Sequence, residues 1–166
     1  ISIHTELSSL RRRAEELDVE LEAKPTWGQQ IDKLLSEYVE PQSIQPTFIT
    51  DYPVDVSPLA KKKSDTPSLV ERFEFFVGGL ECGNAFSELN DPLDQRERFE
   101  MQRQHLAEGD EEAHPMDEDW ITALEYGMPR TRGPCLRIDR MAMLFTDNPS
   151  IREVILFPAL RPKPNA

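Results

Sequence analysis

Apolar residues at the start of the chain recur with the spacing of one helical face. They lie three or four positions apart, with charged residues between them: Leu7, Leu10, Ala14, Leu17 and Leu21. This period predicts an amphipathic helix. After Pro25, Thr26 and Gln29 have the spacing of a capping box, and the apolar positions beyond them predict a second helix from about Trp27 to Val39.

The pattern then changes to runs of β-branched and aromatic residues. Thr47–Thr50 predicts a short strand, which a Tyr-Pro pair ends. Between Val70 and Leu89, two further runs flank Gly78-Gly79, a dipeptide that suits a primed two-residue turn. This segment predicts a β-hairpin.

Two helices are predicted after the hairpin. Asn90-Asp91-Pro92 offers a cap and a first-turn proline to a helix that ends at Gly109. Its apolar stripe is thin, which predicts a largely exposed helix: Leu93, Phe99 and Leu106. Asp117 can cap the next helix, which contains Trp120, Ile121 and Leu124, and Gly127 is placed to end it.

The remaining elements are shorter. Cys135–Ile138 suits a strand, Met141–Phe145 a buried apolar helix, and Val154–Phe157 either a strand or a helix end. The proline-rich tail from Pro158 is expected on the surface. Strands and helices alternate without a regular βαβ cadence, so we expect an α+β fold with an antiparallel β-sheet flanked by helices.

Composition narrows the class of protein. The net charge of −12 opposes unaided binding to a polyanion, because phosphate contact needs clustered lysine and arginine. No apolar run approaches the length of a membrane span, and no secretory signal opens the sequence, which indicates a cytoplasmic protein without a membrane partner. Cys82, Cys135 and the three histidines lack the spacing of a zinc site.

The hairpin contains two carboxylates that a turn at Gly78-Gly79 brings together. That turn places Glu81 opposite Phe76 and Glu74 opposite Gly83, so the two glutamates share one face at a diagonal distance of roughly 7–8 Å. The repulsion between two such carboxylates is relieved by solvation, by a raised pKa or by a cation such as Mg²⁺. Solvation and a metal site both remain open on this evidence.

Asn84, Phe86 and Glu88 alternate along the second strand of the hairpin. Strict alternation places them on the face opposite Glu81. A β-bulge near Gly83 would bring both sets to one face, since glycine inside a strand often marks a bulge. The alternative is an ordinary half-buried strand.

These residues and the segments around them, from about Thr26 to Lys163, resemble the class II lysyl-tRNA synthetases. The segments that carry the resemblance are Ser57-Pro58-Leu59-Ala60-Lys61, Glu71-Arg72-Phe73-Glu74, Gly83–Pro92, Ala123–Pro129 and Ile138-Asp139-Arg140. The resemblance implies a catalytic core of the class II synthetase type that is incomplete in this chain. Residues 1–42 are expected to be a helical segment leading into the core, and residues 43–166 its C-terminal portion, including motif 3.

The resemblance also implies a reaction. Members of the family activate lysine with ATP as lysyl-adenylate and transfer it to tRNA(Lys), with Mg²⁺ as cofactor. In this chain tRNA contact is expected only through parts that the sequence lacks, and the full-length family protein is expected to be a homodimer. The isolated segment is expected to be inactive.

Site residues follow from the matching motif positions. Glu74 and Glu81 match the acids that hold Mg²⁺ against the ATP phosphates. Glu88 matches the acid that recognises the lysine ammonium group, and Asn84 lies beside it in the substrate shell.

The ATP positions match less completely. Phe86 matches a residue that stacks against adenine, and Arg140 matches the catalytic motif 3 arginine that lies over adenine and reaches the terminal phosphate. Before Arg140, however, Arg132, Cys135 and Arg137 stand where the resemblance implies glycine. A side chain takes up room that glycine leaves for a ligand.

Arg137 is the largest of these obstacles. We expect it to lie in or beside the pocket and to pair with one of Glu74, Glu81 or Glu88; the alternative is that it points to solvent. These departures leave two other hypotheses open: a noncatalytic synthetase-derived binding or assembly module with a damaged ATP site, and a relative that attaches lysine to a protein.

Overall fold

The computed structural model describes residues 5–19, 27–107 and 113–158. Within these ranges, one antiparallel sheet has the strand order β1-β2-β3-β4. The strands are β1 (Thr47–Thr50), β2 (Arg72–Val77), β3 (Leu80–Ser87) and β4 (Arg132–Leu136). The helices are α1 (Leu7–Glu16), α2 (Trp27–Leu34), α3 (Pro92–Ala107), α4 (Glu118–Glu125) and α5 (Ile138–Thr146). This is the predicted α+β fold class.

Helix α1 is shorter than its apolar period predicts. It ends at Glu16, because Asp18 adopts the left-handed conformation with φ 57° and turns the chain away. Leu10 and Ala14 are buried and pack with Leu34 of α2. Two predicted features, Leu21 on the apolar face and Thr26 in the capping box, lie outside the described residues.

The second predicted helix is confirmed, but its C-terminal half is not α-helical. Helix α2 continues as a π-helical turn over Leu35–Val39 and a 3₁₀ turn over Glu40–Gln42. The following residues contact the hairpin turn, since the amide N of Gly78 donates to the carbonyl O of Ile44 at 2.9 Å. This path brings Glu40 close to the hairpin.

The hairpin between β2 and β3 is confirmed, with its turn at Gly78-Gly79. Both glycines have positive φ, 61° and 76°, as a primed turn requires. The pairing shifts by one residue beyond the turn: Phe76 pairs with Glu81, but Phe75 pairs with Gly83. Cys82 is therefore the extra residue of a β-bulge, which confirms the bulge predicted near Gly83.

The bulge also corrects one predicted pairing. Glu74 lies opposite Asn84 rather than Gly83. The inserted Cys82 advances the register of β3 by one residue, so every pair beyond it moves with it.

Helix α3 buries Phe99 of its predicted apolar stripe but not the two leucines, and it buries two polar residues instead. Leu93 and Leu106 are exposed, while Gln95, Arg98 and Phe99 are buried. The cause is the loop beneath the helix, whose carbonyl groups require donors. Arg98 donates to the carbonyl oxygens of Ser57 and Ala60 at 3.0 and 2.6 Å. The predicted end at Gly109 lies outside the described residues.

Helix α4 has the predicted cap and stop. The Asp117 Oδ1 accepts from the backbone N of Trp120 at 2.9 Å, and Gly127 has φ 105°. Ile121 and Leu124 are buried, as expected for the apolar face of this helix.

The predictions for the C-terminal elements are partly wrong. The strand begins at Arg132 and ends at Leu136, so Ile138 belongs to α5 instead. Pro134 is tolerated because β4 lies at the sheet edge and needs no donor toward a further strand.

Helix α5 exists as predicted but is not buried. Phe145 is 84% exposed, because the described part of the chain supplies no second layer over this helix. Val154–Phe157 forms no strand; a 3₁₀ turn at Ile151–Glu153 precedes it.

Two apolar clusters support the sheet from the N-terminal side. One joins α1 to α2, and the other contains Tyr52, Ala60 and Val70, with Phe86 packed against it. None of the helices in the described ranges combines the length and apolarity that crossing a membrane needs.

Candidate active site on the sheet

The bulge places the hairpin carboxylates on one face of the sheet. Residues directly opposite each other in an antiparallel pair share a face, so Glu74 lies with Asn84, and Phe76 with Glu81. Glu74 and Phe76 are two positions apart and therefore share that face as well. In a regular strand without the bulge, Glu81 and Asn84 are three positions apart and would point to opposite faces.

Protein donors engage both carboxylate oxygens of Glu74. The guanidinium group of Arg72 donates to Oε1, and the Tyr52 hydroxyl donates to Oε2 at 2.7 Å. Arg72 also lies over the Tyr52 ring, 4.5 Å from its centroid. Burial and the hydrogen bond to Glu74 raise the pKa of Tyr52, so the phenol remains a donor.

Glu81 is held by two arginines. The Nη2 of Arg137 donates to Oε1 and Oε2 at 3.1 and 3.2 Å. The Nη1 of Arg140 donates to the backbone O of Glu81 at 2.8 Å and to Oε2 at 3.2 Å. The hydrogen bond to Glu81 raises the pKa of Arg137. Of the three acids named from the sequence as partners for Arg137, the structure places Glu81 against it.

A third acid, Glu40, belongs to this neighbourhood and was missed from the sequence. Burial raises the pKa of its carboxyl, a hydrogen bond from Ser36 opposes the shift, and the charges of Glu74 and Glu81 raise it further. No sequence period links residue 40 to the hairpin. The π-helical turn that positions Glu40 has no signal in the apolar pattern that predicted α2.

The hairpin acids do not fit Mg²⁺ in this arrangement. The ion takes carboxylate oxygens that are free to coordinate it, together with water. Here arginine or tyrosine engages each oxygen of Glu74 and Glu81. Across residues 5–19, 27–107 and 113–158, no group of three or more His, Cys, Asp or Glu side chains could hold a metal ion.

Glu88 is a different kind of site. It follows β3, and its backbone N donates to the carbonyl O of Thr131 at 2.9 Å. A Cβ on Gly133 would lie 2.8 Å from Glu88 Oε1, so this glycine permits the close approach of β4. Burial raises the pKa of Glu88, and no donor within the described residues contacts its carboxylate.

A cleft of about 420 Å³ opens beside Glu88. Basic and acidic side chains line it together with hydroxyl groups: Lys61, Lys62, Ser64, Glu71, Ser87, Glu88, Arg130, Thr131 and Arg132. The ammonium groups of Lys61 and Lys62 are engaged by Asn90 and Asp94 at 3.0 and 2.8 Å. Glu88 therefore offers this cleft a half-buried carboxylate that no donor in ranges 5–19, 27–107 and 113–158 contacts.

The remaining candidates lie between these two regions. Asn84 Oδ1 accepts from Arg72 Nε at 3.3 Å, and half-buried Phe86 packs on the apolar cluster beneath it. Glu81 and Glu88 lie about 20 Å apart along β3, given about 3.3 Å per residue and one bulge. The strand thus joins an arginine-bound acid cluster to the cleft that contains Glu88.

Comparisons with known proteins identify the family of the chain. The sequence model for tRNA synthetases class II (D, K and N) matches residues 4–161. A lysine–tRNA ligase of Roseiflexus sp. (strain RS-1) is 56% identical over 159 residues, which are 96% of this chain and 32% of that protein. A lysine–tRNA ligase of Chloroflexus aurantiacus is 55% identical over 95% of this chain and 32% of its own length. A lysine–tRNA ligase of Carboxydothermus hydrogenoformans is 57% identical over 91% of this chain and 31% of its own length.

The chain therefore spans about a third of the length of these relatives. The matches confirm the resemblance to lysyl-tRNA synthetases that the motifs indicated. With nearly all of its residues inside the family match, the chain belongs to the class II tRNA synthetases of the D, K and N group.

Proposed function

We propose that the full-length protein is a lysine–tRNA ligase that activates lysine with ATP and transfers it to tRNA(Lys). The identity to lysine–tRNA ligases supports this proposal, at 56% for the Roseiflexus sp. (strain RS-1) protein. The activity is proposed for the whole protein, because this chain corresponds to only 32% of that relative.

The Glu88 carboxylate is the observation that carries the proposal. A half-buried acid that no donor in the described residues contacts suits an external ammonium group, and the side chain of lysine ends in one. In this proposal Glu88 binds the ammonium group, and the Asn84 amide contacts the substrate beside it.

Arg140 and Phe86 are the proposed ATP residues. The fixed charge of Arg140 would stabilise negative charge on the phosphates, and Phe86 would stack against adenine. The family resemblance assigns Glu74 and Glu81 to Mg²⁺, an ion that would neutralise phosphate charge. Their oxygens are engaged by arginine and tyrosine here, so we assign this chain no step through the ion.

The wider setting is also proposed. Contacts to tRNA(Lys) would come from parts outside this chain, because its net charge of −12 opposes phosphate binding. The full-length protein would act as a homodimer in the cytoplasm.

Calorimetric titration of lysine into the full-length protein tests the role of Glu88. Hydrogen bonds to charged groups contribute about 1.5–3 kcal/mol, so Glu88→Gln should weaken lysine binding roughly tenfold to a hundredfold. Glu125→Gln, at an exposed position of α4, is the control and should leave the affinity unchanged. Equal lysine affinities for Glu88→Gln and the natural protein would refute the proposal.

A second function is favoured by a separate observation. All four hairpin carboxylate oxygens are held by protein side chains, as in a site that no longer binds its ligand. A noncatalytic binding or assembly module would have this arrangement. It would show neither lysine binding through Glu88 nor ATP turnover.

A further inference from the structure

The acid cluster around Glu81 already contains its own counter-charges. The charges of Glu81 and Glu74 act on two neighbours, since both raise the pKa of Glu40 and the pKa of Arg137. Three arginines neutralise the charge of these three acids. Arg72 pairs with Glu74, and Arg137 and Arg140 pair with Glu81. The formal charges balance, which leaves no net negative charge to attract a divalent cation.

We propose that the Arg137 guanidinium occupies the cation position of Glu81 and excludes divalent cations from the hairpin. The site is then filled by a side chain of the protein itself. The proposed function enters this inference only in naming the cation that the hairpin would otherwise bind. The exclusion of cations by Arg137 does not depend on enzymatic turnover.

The backbone explains why Arg137 reaches this position. It lies between β4 and α5, and its amide N donates to the carbonyl O of Cys82 at 2.9 Å. Cys82 is the extra residue of the bulge and directly follows Glu81. The bulge that turns Glu81 toward the acid cluster therefore also fixes Arg137 beside it.

The two arginines on Glu81 differ in how they are anchored. Arg140 is tied to the β3 backbone through the carbonyl O of Glu81, in addition to Oε2. Within the described residues, the side chain of Arg137 donates only to the carboxylate oxygens of Glu81, and it is 45% exposed. Removal of Arg137 would free Oε1 fully, and the arginine anchored to the backbone would remain.

An internal competitor lowers the apparent affinity of an external ligand. A cation can bind only the fraction of molecules in which Arg137 has left Glu81, and its apparent dissociation constant rises by the inverse of that fraction. Like-charge repulsion from the guanidinium adds to this effect.

Titration of the full-length protein with Mn²⁺ alone, followed by electron paramagnetic resonance of the free ion, tests the proposal. Mn²⁺ prefers the same carboxylate and water ligands as Mg²⁺. Arg137→Gly and Arg137→Gln should each bind Mn²⁺ at least about tenfold more tightly than the natural protein. Arg137→Gln keeps a side chain at the end of β4, so it covers the case in which the glycine variant unfolds.

Two controls assign the effect to Glu81. Arg152→Gly removes one exposed arginine far along the chain and should leave Mn²⁺ affinity unchanged. Adding Glu81→Gln to Arg137→Gln should abolish the gain in Mn²⁺ affinity. Equal Mn²⁺ affinities in the natural protein and the folded Arg137 variants would overturn the proposal, as would a gain that survives Glu81→Gln. If Glu88→Gln binds lysine as tightly as the natural protein, the proposed function is refuted, and the Mn²⁺ titration of the Arg137 variants is unaffected.

Discussion

Three glutamates on β2 and β3 or at their ends differ in what holds their carboxylates. Glu74 is bound by Arg72 and Tyr52, and Glu81 by two arginines, whereas no donor in the described residues contacts the carboxylate of Glu88. Ionised carboxylates with such partners already have their charge compensated. Glu88 is consequently the acid that is available to an external cation.

The raised pKa of Glu88 predicts a pH dependence of lysine binding. Burial raises this pKa above the ordinary 4.5, and only the ionised form attracts the ammonium group. Lysine affinity should therefore fall as the pH decreases toward the raised pKa, before an ordinary glutamate would protonate. Calorimetry across this range should show no such loss in Glu88→Gln; a flat profile in the natural protein down to pH 4.5 would contradict the assignment.

The raised pKa of Glu88 also makes the stability of the fold depend on pH, with the opposite sign. A carboxyl whose pKa is higher in the folded state stabilises the fold below its unfolded pKa, and this contribution is lost as the pH rises through the folded pKa. In the absence of lysine, Glu88→Gln should therefore be more stable than the natural protein at neutral pH. Urea unfolding at neutral and acidic pH checks the sign: the difference should disappear in acid.

Arg98 is a residue on which the fold should depend. It is 4% exposed and joins Asp94 of α3 to the carbonyl groups of Ser57 and Ala60. Arg98→Met would leave these partners buried without their donor, at a cost of about 3 kcal/mol in the free energy of unfolding. Arg96→Met is the control on the same helix: it breaks only an exposed pair with Glu118 of α4 and should have no measurable effect in urea unfolding.

At the scale of elements, the bulged hairpin decides which side chains share a face. Its turn depends on the positive φ of both glycines, 61° at Gly78 and 76° at Gly79. Gly79→Ala should destabilise the protein by about 1–2 kcal/mol, because a Cβ disfavours the left-handed conformation. Gly79→Asn should cost less, since asparagine tolerates that conformation. Equal stabilities of Gly79→Ala and the natural protein in urea would contradict the turn assignment.

Local signals predicted the elements whose structure depends on neighbours in sequence. The hairpin follows from Gly78-Gly79 between alternating runs, and α4 from the Asp117 cap and the Gly127 stop. The bulge was predictable because Gly83 interrupts a strand whose polar residues otherwise fall on two faces. Each of these features is determined within a few residues.

Features that depend on distant contacts were not predictable. The buried face of α3 is set by carbonyl groups some forty positions away in sequence, at Ser57 and Ala60. Glu40 reaches the hairpin through a π-helical turn that α-helical periodicity does not describe. Three acids were possible partners for Arg137 from the sequence, and only the register of β3 against β4 distinguishes Glu81 from the others.

At the scale of the whole molecule, the chain forms one sheet with several apolar side chains exposed. Phe48 on the sheet and Phe145 on α5 are 61% and 84% exposed. Lysine–tRNA ligases that match the chain are about three times as long, since it covers 32% of the Roseiflexus sp. (strain RS-1) protein. Catalysis depends on groups positioned together around the substrates, so we expect the 166-residue chain alone to make no lysyl-adenylate.

Lysine-dependent exchange of pyrophosphate into ATP tests the proposed function most directly. We predict exchange by the full-length protein with lysine, none by the 166-residue chain, and a large loss of the lysine-dependent rate in Glu88→Gln. Arg137→Gly is assayed as a second form of the full-length protein, because it frees the Glu81 carboxylate oxygen that Arg137 engages. A folded full-length protein that shows no lysine-dependent exchange, in either its natural form or as Arg137→Gly, would contradict the account and favour a noncatalytic module.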